Sequence, residues 1–271
     1  MNALEIQGLS KRFGVRDVLD GVSFSVPSGS IFGFIGANGA GKTTTMKIIL
    51  GLLKADGGSV KVCGEQVRFG ATNTNRLIGY LPDVPEFYNY MRPKEYLKLC
   101  GEIVGLDRKA IKARSTELLE LVGLSDANKK IGGFSRGMKQ RLGMAQALLS
   151  EPKLLICDEP TSALDPVGRK EVLDILQAIK GKTTVVFSTH ILSDVERVCD
   201  HVAVLNKGKI VLDVAIDDLK FQRKSKAITL EFEQEIDASE VVRLLGEHNM
   251  LPARVETAET SIESLLLEVS Q

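Results

Sequence analysis

Ser30-Ile31-Phe32-Gly33-Phe34-Ile35 is apolar without alternation, which predicts a strand buried on both faces. Upstream, Ala3 to Gln7 reads as a first strand, and Val22, Phe24 and Val26 alternate with polar neighbours. Residues 3–35 therefore predict an antiparallel sheet laid beside a parallel one. From Ile31 to Leu212 strand-like runs alternate with helical ones, the rhythm of a mainly parallel sheet covered by helices. That rhythm lapses between about Pro93 and Leu149. There Tyr96, Leu97 and Leu99, then Ile111, Leu118, Leu119 and Val122, recur at helical spacing, and Pro93 suits a first helical turn. A helical subdomain is expected at about residues 86–150, inserted in the α/β core. Strand-like runs return at Lys153 to Cys157, Thr183 to Ser188 and His201 to Leu205.

The texture changes after Leu212. Lys220 to Lys226 is polar and basic and predicts a linker, a solvated charge run rather than a lipid-facing one. Beyond it the expectation is an alternating strand (Ile228, Leu230, Phe232), a helix near Val241 to Leu245, an extended piece near Arg254-Val255 and a closing helix from Ser261. The chain is thus expected to divide into a domain at 1–219 and a small α+β accessory domain at 220–271.

A length of 271 residues with 44% hydrophobic content permits one large α/β domain plus a small appendage. Lys plus Arg and Asp plus Glu number 35 each, so no global positive field draws the chain to nucleic acid, and no nucleic-acid partner is expected. The stretch free of charge from Gly21 to Gly41 contains Pro27 and Asn38 and does not suit a membrane-spanning helix. No basic start with an apolar core precedes the first strand, so secretion is not expected. Cys63, Cys100, Cys157 and Cys199 are widely separated, which fits reduced cytosolic thiols. The three histidines are scattered too, which disfavours a His-based metal site.

Chemistry enters with Gly36-Ala37-Asn38-Gly39-Ala40-Gly41-Lys42-Thr43, set between the apolar run and a stretch, Thr43 to Leu50, free of Gly and Pro. In such a strand–loop–helix, glycines let backbone N–H groups turn toward α and β phosphates. Lys42 reaches the β and γ phosphates and the Thr43 hydroxyl holds Mg²⁺. A second signal is Leu154-Leu155-Ile156-Cys157-Asp158-Glu159, an apolar strand ending in two carboxylates. Asp158 can bind Mg²⁺ through water and Glu159 can position the water attacking a γ phosphate, although adjacent acids after a strand also occur as plain turn residues. Third is Gly132 to Arg141, where Ser135 serves either as an ordinary helix N-cap or, with glycine N–H groups, as part of an anion site.

Those three segments, followed by Ser162-Ala163-Leu164-Asp165 and Thr189-His190 in that order, resemble the ATP-binding cassette ATPases over roughly residues 3–212. The resemblance implies a P-loop NTPase core with an N-terminal antiparallel β subdomain, an inserted helical subdomain and a small C-terminal α+β domain. It assigns ATP contacts to Gly36, Asn38, Gly39, Ala40, Gly41, Lys42, Thr43 and Thr44, and catalysis to Glu159, His190 and Lys42. Phe13 falls where the family stacks an aromatic on adenine. Two nucleotide domains, as homodimer or heterodimer, pair head to tail, so that Ser135 and Gly137 of one meet the γ phosphate held by the other's Lys42 loop. Asp165 links the two halves, although an N-cap before Pro166 is a sufficient structural reason for it.

Two positions depart from the family pattern. Phe134-Ser135-Arg136-Gly137-Met138 stands where Leu-Ser-Gly-Gly-Gln is usual, and Asp83 stands where Gln is usual. A carboxylate at Asp83 can join Thr43 and Asp158 at Mg²⁺ but adds negative charge near a triphosphate. These departures and the tail Ser261 to Glu268 look like prokaryotic export-type cassettes that pair with a six-helix permease. The implied role is an ATP-hydrolysing subunit, cytoplasmic and peripheral on the inner face of the cell membrane, powering export through a separate permease. A non-transport cassette, such as an iron–sulfur assembly subunit, stays open as the alternative. A GTPase reading of Asn206-Lys207-Gly208-Lys209 fails at Lys209, where an acid is needed to read guanine.

Overall fold

The computed structural model describes residues 1–70, 73–223 and 237–248. It forms two compact units, Met1–Ile216 and Asp217–Gln271. In the first unit, β1 (Asn2–Phe13) pairs antiparallel with β2 (Arg16–Pro27) and with β4 (Gly57–Val62), and β5 (Glu65–Gln66) completes a sheet ordered β2-β1-β4-β5. The alternation of Val22, Phe24 and Val26 places all three on its buried face.

The second sheet has β3 (Ile31–Ile35) near its centre, between β8 (Thr184–Thr189) and β9 (His201–Asn206), both parallel to it. Beyond β8 lie β7 (Leu154–Asp158) and β6 (Ile78–Leu81), also parallel, and β10 (Lys209–Ala215) closes the other edge antiparallel to β9. All five residues of β3 and all five of β7 are buried, as unalternating apolar runs require. Between the strands run α1 (Lys42–Ile49), α5 (Pro166–Ile179) and α6 (Leu192–Val198).

One core joins the two sheets and α1. Leu4, Ile6 and Leu9 from β1, Phe24 from β2, Phe32 and Phe34 from β3, and Met46 and Ile49 from α1 share it. Phe24 stacks on Phe32 with ring centroids 5.3 Å apart and packs on Phe34 at 5.2 Å. Truncating Phe32 to Ala costs about 3–5 kcal/mol on this basis. Because the carboxyl ends of β3, β7 and β8 lie side by side, whatever follows them in the chain is gathered at one edge of the sheet.

The inserted helices are α2 (Pro93–Ile103), α3 (Arg108–Leu121) and α4 (Arg136–Ala147). Pro93 occupies the first turn of α2, where its missing N–H is harmless, and the Glu95 carboxylate accepts from the Arg92 N–H at 2.8 Å. Asp107 caps α3 by accepting from the N–H groups of Lys109 and Ala110. Leu97, Ile111, Leu118 and Leu119 form the buried faces that the helical spacing indicated.

The linker expectation requires correction. Lys220 to Arg223 are the end of a helix, α7 (Ile216–Arg223), whose first turn carries Asp217 and Asp218. Acids at the N-terminus oppose the helix dipole favourably and no Gly or Pro interrupts the run, which outweighs its polarity. Lys224 to Lys226, the alternating strand at Ile228 to Phe232, the extended piece near Arg254-Val255 and the closing helix from Ser261 fall outside the described residues. The helix expected near Val241 to Leu245 is α8 (Ala238–Glu247), with Asp237 as its cap, accepting from the Ser239 N–H at 3.0 Å.

Candidate active site

The loop after β3 is shaped by two close approaches. A Cβ at Gly36 would lie 2.6 Å from the Leu205 carbonyl on β9, and one at Gly41 would lie 2.7 Å from Leu19 Cδ2. Gly41 also has φ 116°, a region that favours glycine, and it caps the N-terminus of α1. The intervening residues Ala37, Asn38 and Gly39 are exposed, and Ala40 closes the turn by donating its N–H to the Ala37 carbonyl at 3.1 Å. A run of backbone N–H groups and a helix N-terminus are thereby held open at the surface, the arrangement that binds phosphate.

Lys42 is 6% exposed and bends back over this loop. Its ammonium donates to the carbonyls of Gly36 at 2.5 Å and Ala37 at 3.4 Å. It also lies 3.1 Å from Glu159 Oε1, an ion pair whose carboxylate oxygen lacks hydrogen-bond alignment. Next to it the exposed Thr43 donates its hydroxyl to Asp158 Oδ2 at 2.9 Å. Thr44 follows, half-buried.

Asp158 ends β7 and Glu159 follows it. The other Asp158 oxygen accepts from the Ser188 hydroxyl at 2.6 Å, and that hydroxyl in turn accepts from the Glu159 N–H at 3.0 Å. Glu159 adopts φ 48°, unusual for a residue with a side chain, and its Oε2 lies 2.9 Å from His190 Nδ1 at the end of β8. Lys42 and Thr43 from the start of α1, Asp158 and Glu159 from the end of β7 and the position after it, and His190 just beyond β8 therefore form one contact network. Ser188 belongs to it as well and was not among the residues expected from sequence.

The remaining candidates occupy neighbouring places. Ser135 caps α4, its hydroxyl accepting from the Met138 N–H at 3.2 Å, and Gly137 lies in the first turn of that helix. Asp165 caps α5 before Pro166, accepting from the Gly168 N–H at 3.1 Å. Phe13 is half-exposed at the end of β1, with the Lys11 ammonium 5.3 Å from its ring centroid. Asp83, just after β6, pairs with Arg136 Nη2 at 3.4 Å. Partial burial pushes the Asp83 carboxyl up; Arg136 opposes this, and the negative charges of Asp158 and Glu159 add to it.

Residues 19–162 match the family model described as ABC transporter. The chain is 43% identical over 235 residues, 86% of its length and 78% of the relative's, to an uncharacterized ABC transporter ATP-binding protein, YxlF, of Bacillus subtilis (strain 168). It is 40% identical to the bacitracin transport ATP-binding protein BcrA of Bacillus licheniformis, over 89% of this chain and 77% of that protein. Against the lantibiotic transport ATP-binding protein SrtF of Streptococcus pyogenes identity is 38%, over 79% and 91%. Among solved structures, an ATP binding subunit of an ABC transporter superposes with a TM-score of 0.76 and 29% identity, covering 99% of this chain and all of that one. An ATP-binding cassette in its ADP conformation gives a TM-score of 0.74 at 27% identity, over 81% of this chain and 94% of that one.

Proposed function

Because this chain belongs to the ABC transporter family, as an ATP-binding subunit of the kind that hydrolyses ATP, we propose that it drives export through a separate membrane-embedded permease. The observation that carries the reading is the network in which Lys42, Thr43, Asp158, Glu159 and His190 meet beside an open phosphate loop. In this reading the chain works at the inner face of the membrane, docked on its permease; among the described residues no helix is long and apolar enough to cross a membrane. The relatives named for bacitracin and lantibiotic transport support the transport part of this reading, and export is the direction proposed for it.

In the proposed mechanism the loop N–H groups and Lys42 hold the triphosphate, and Phe13 stacks on the base. Glu159 orients the attacking water and accepts its proton, while His190, bonded to Glu159, lies near the γ phosphate. Thr43 and Asp158 offer hard oxygen donors 2.9 Å apart, a set that suits Mg²⁺, which retains several waters and uses few protein ligands. When bound there, Mg²⁺ would supply positive charge to offset that of the triphosphate. Asp83 is the third proposed member of that set, and in the structure its Oδ1 is paired with Arg136. Ser135 and Gly137, at the N-terminus of α4, serve the ATP of a second subunit, so ATP sits between two nucleotide domains in a homodimer or heterodimer.

The test is ATP turnover by the purified chain with and without Mg²⁺, then with a co-expressed multi-span membrane protein encoded beside it. Mg²⁺-dependent turnover, retention in the membrane fraction and a further rise with the permease are expected. Turnover indifferent to any such partner, with no membrane retention, would overturn the transport assignment.

A further inference from the structure

Asp194 is a buried carboxylate that the chemistry above does not use. It is 1% exposed in the first turn of α6, shortly after His190. Burial disfavours a carboxylate unless it is paired and fully hydrogen-bonded, and here both oxygens are engaged. Thr161 donates its hydroxyl to Oδ2 at 2.6 Å, and Arg169 donates Nε–H to Oδ1 at 2.5 Å. Arg169 also donates from Nη2 to the Ser193 hydroxyl at 2.6 Å, so its fork spans two consecutive residues of α6.

These contacts tie together the segments on either side of the Glu159–His190 contact. Thr161, 1% exposed, follows Glu159 by two positions. The backbone around it is left-handed at two residues with side chains, Glu159 at φ 48° and Ala163 at φ 52°. Such conformations persist where the surroundings over-determine them, and the buried Thr161 hydroxyl anchored on Asp194 supplies that constraint. On the other side, the Asp194 N–H donates to the Ile191 carbonyl at 3.2 Å, and the Ile191 N–H donates to Thr189 Oγ1 at 2.9 Å. The residues flanking His190 are thus tied, through Ile191, to the backbone of Asp194, the residue whose carboxylate holds Thr161. Between the two anchored segments lies the 2.9 Å contact from His190 Nδ1 to Glu159 Oε2.

We propose that Asp194, with Thr161 and Arg169, is a positioning set that fixes Glu159 and His190 relative to each other for ATP hydrolysis. It rests on the proposed roles of Glu159 and His190. The set acts on catalysis rather than on nucleotide affinity, because the side-chain hydrogen bonds of its three residues run among themselves and to Ser193 rather than to the phosphate loop.

Thr161→Val keeps the side chain's shape and removes the hydroxyl, whereas Thr161→Ser retains it. In the full chain, Thr161→Val should lower kcat about tenfold to a hundredfold, the scale of a misplaced catalytic group, with KM for ATP changed less than about twofold. Thr161→Ser should recover most of kcat. The imidazole nitrogen resonances of His190, one of three histidines, should shift in the Val variant and return in the Ser variant. A folded Thr161→Val protein with unchanged kcat and unchanged His190 resonances overturns the proposal. If that variant does not fold, Arg169→Lys, which keeps the charge and loses the fork, must show the same kcat-specific loss, and normal kcat there overturns it equally. Glu159→Gln is measured alongside. Full hydrolysis by Glu159→Gln would remove the site reading itself, whereas an inactive Glu159→Gln beside a fully active Thr161→Val removes the positioning role alone.

Discussion

Lys42 directs its ammonium at two loop carbonyls and one carboxylate, so a triphosphate engaging it competes with Glu159 and with those carbonyls. Removing the charge with Lys42→Ala should lower hydrolysis by about two to three orders of magnitude, the scale of losing one preorganised electrostatic partner. Thermal unfolding measured on the same sample should still show a cooperative transition, since the sheet core lies elsewhere. Glu159→Gln acts on the same pair from the other end. It should abolish turnover while tightening ATP binding about threefold to tenfold, because Lys42 no longer answers to a competing charge; titration calorimetry reads the affinity. The residues of this pair were legible in the sequence because loop and strand-end motifs hold them at fixed spacing. Ser188 was not, for a physical reason. A serine after Val185-Val186-Phe187 carries no spacing signature, and its role arises from the parallel register that sets it opposite Asp158.

Among the elements, α4 tests whether a cap and a ligand group can be told apart. Ser135→Ala removes the bond to the Met138 N–H and should cost about 1 kcal/mol of stability, read by chemical denaturation. Ser135→Asp restores a cap of comparable strength but places a negative charge where a phosphate is proposed, so stability should return and ATP turnover should not. On β6, burial first and then the charges of Asp158, Cys157 and Asp83 push the Tyr80 hydroxyl up to about 12. Because the folded value lies above the unfolded one, this contribution to stability is complete below about pH 10 and is lost as pH rises toward 12. Tyr80→Phe should flatten that part of the stability profile, followed by circular dichroism. Elements with a distinct apolar pattern were readable in advance: β3, β7 and β8 as continuous apolar runs, α2 and α3 through apolar residues at helical spacing. The two-residue strand β5 has no room for one, and the basic stretch at Lys220 concealed the end of α7 because charge alone does not separate a solvated helix from a linker.

At the scale of the molecule, the two units predict that catalytic parts and tail can be separated. A chain ending after Arg223 keeps α7 and should fold and bind ATP, with circular dichroism and nucleotide binding as the checks. Full-length Glu159→Gln with Mg·ATP should elute as a dimer on size exclusion, since trapped ATP is proposed to join two nucleotide domains; elution as a monomer at saturating ATP and high protein concentration would count against that pairing. The order of strands also has a bearing on how the chain is made. The antiparallel sheet is complete once Gln66 has been synthesised, but β3 takes both of its neighbours from residues beyond Thr183. At about 5–20 residues per second, the ribosome leaves Ile31–Ile35 with two bare edges for roughly ten to thirty seconds. Until β8 and β9 emerge, the most apolar strand of the nascent chain is a template for pairing with other chains, and it is in this interval that a chaperone has the most to protect.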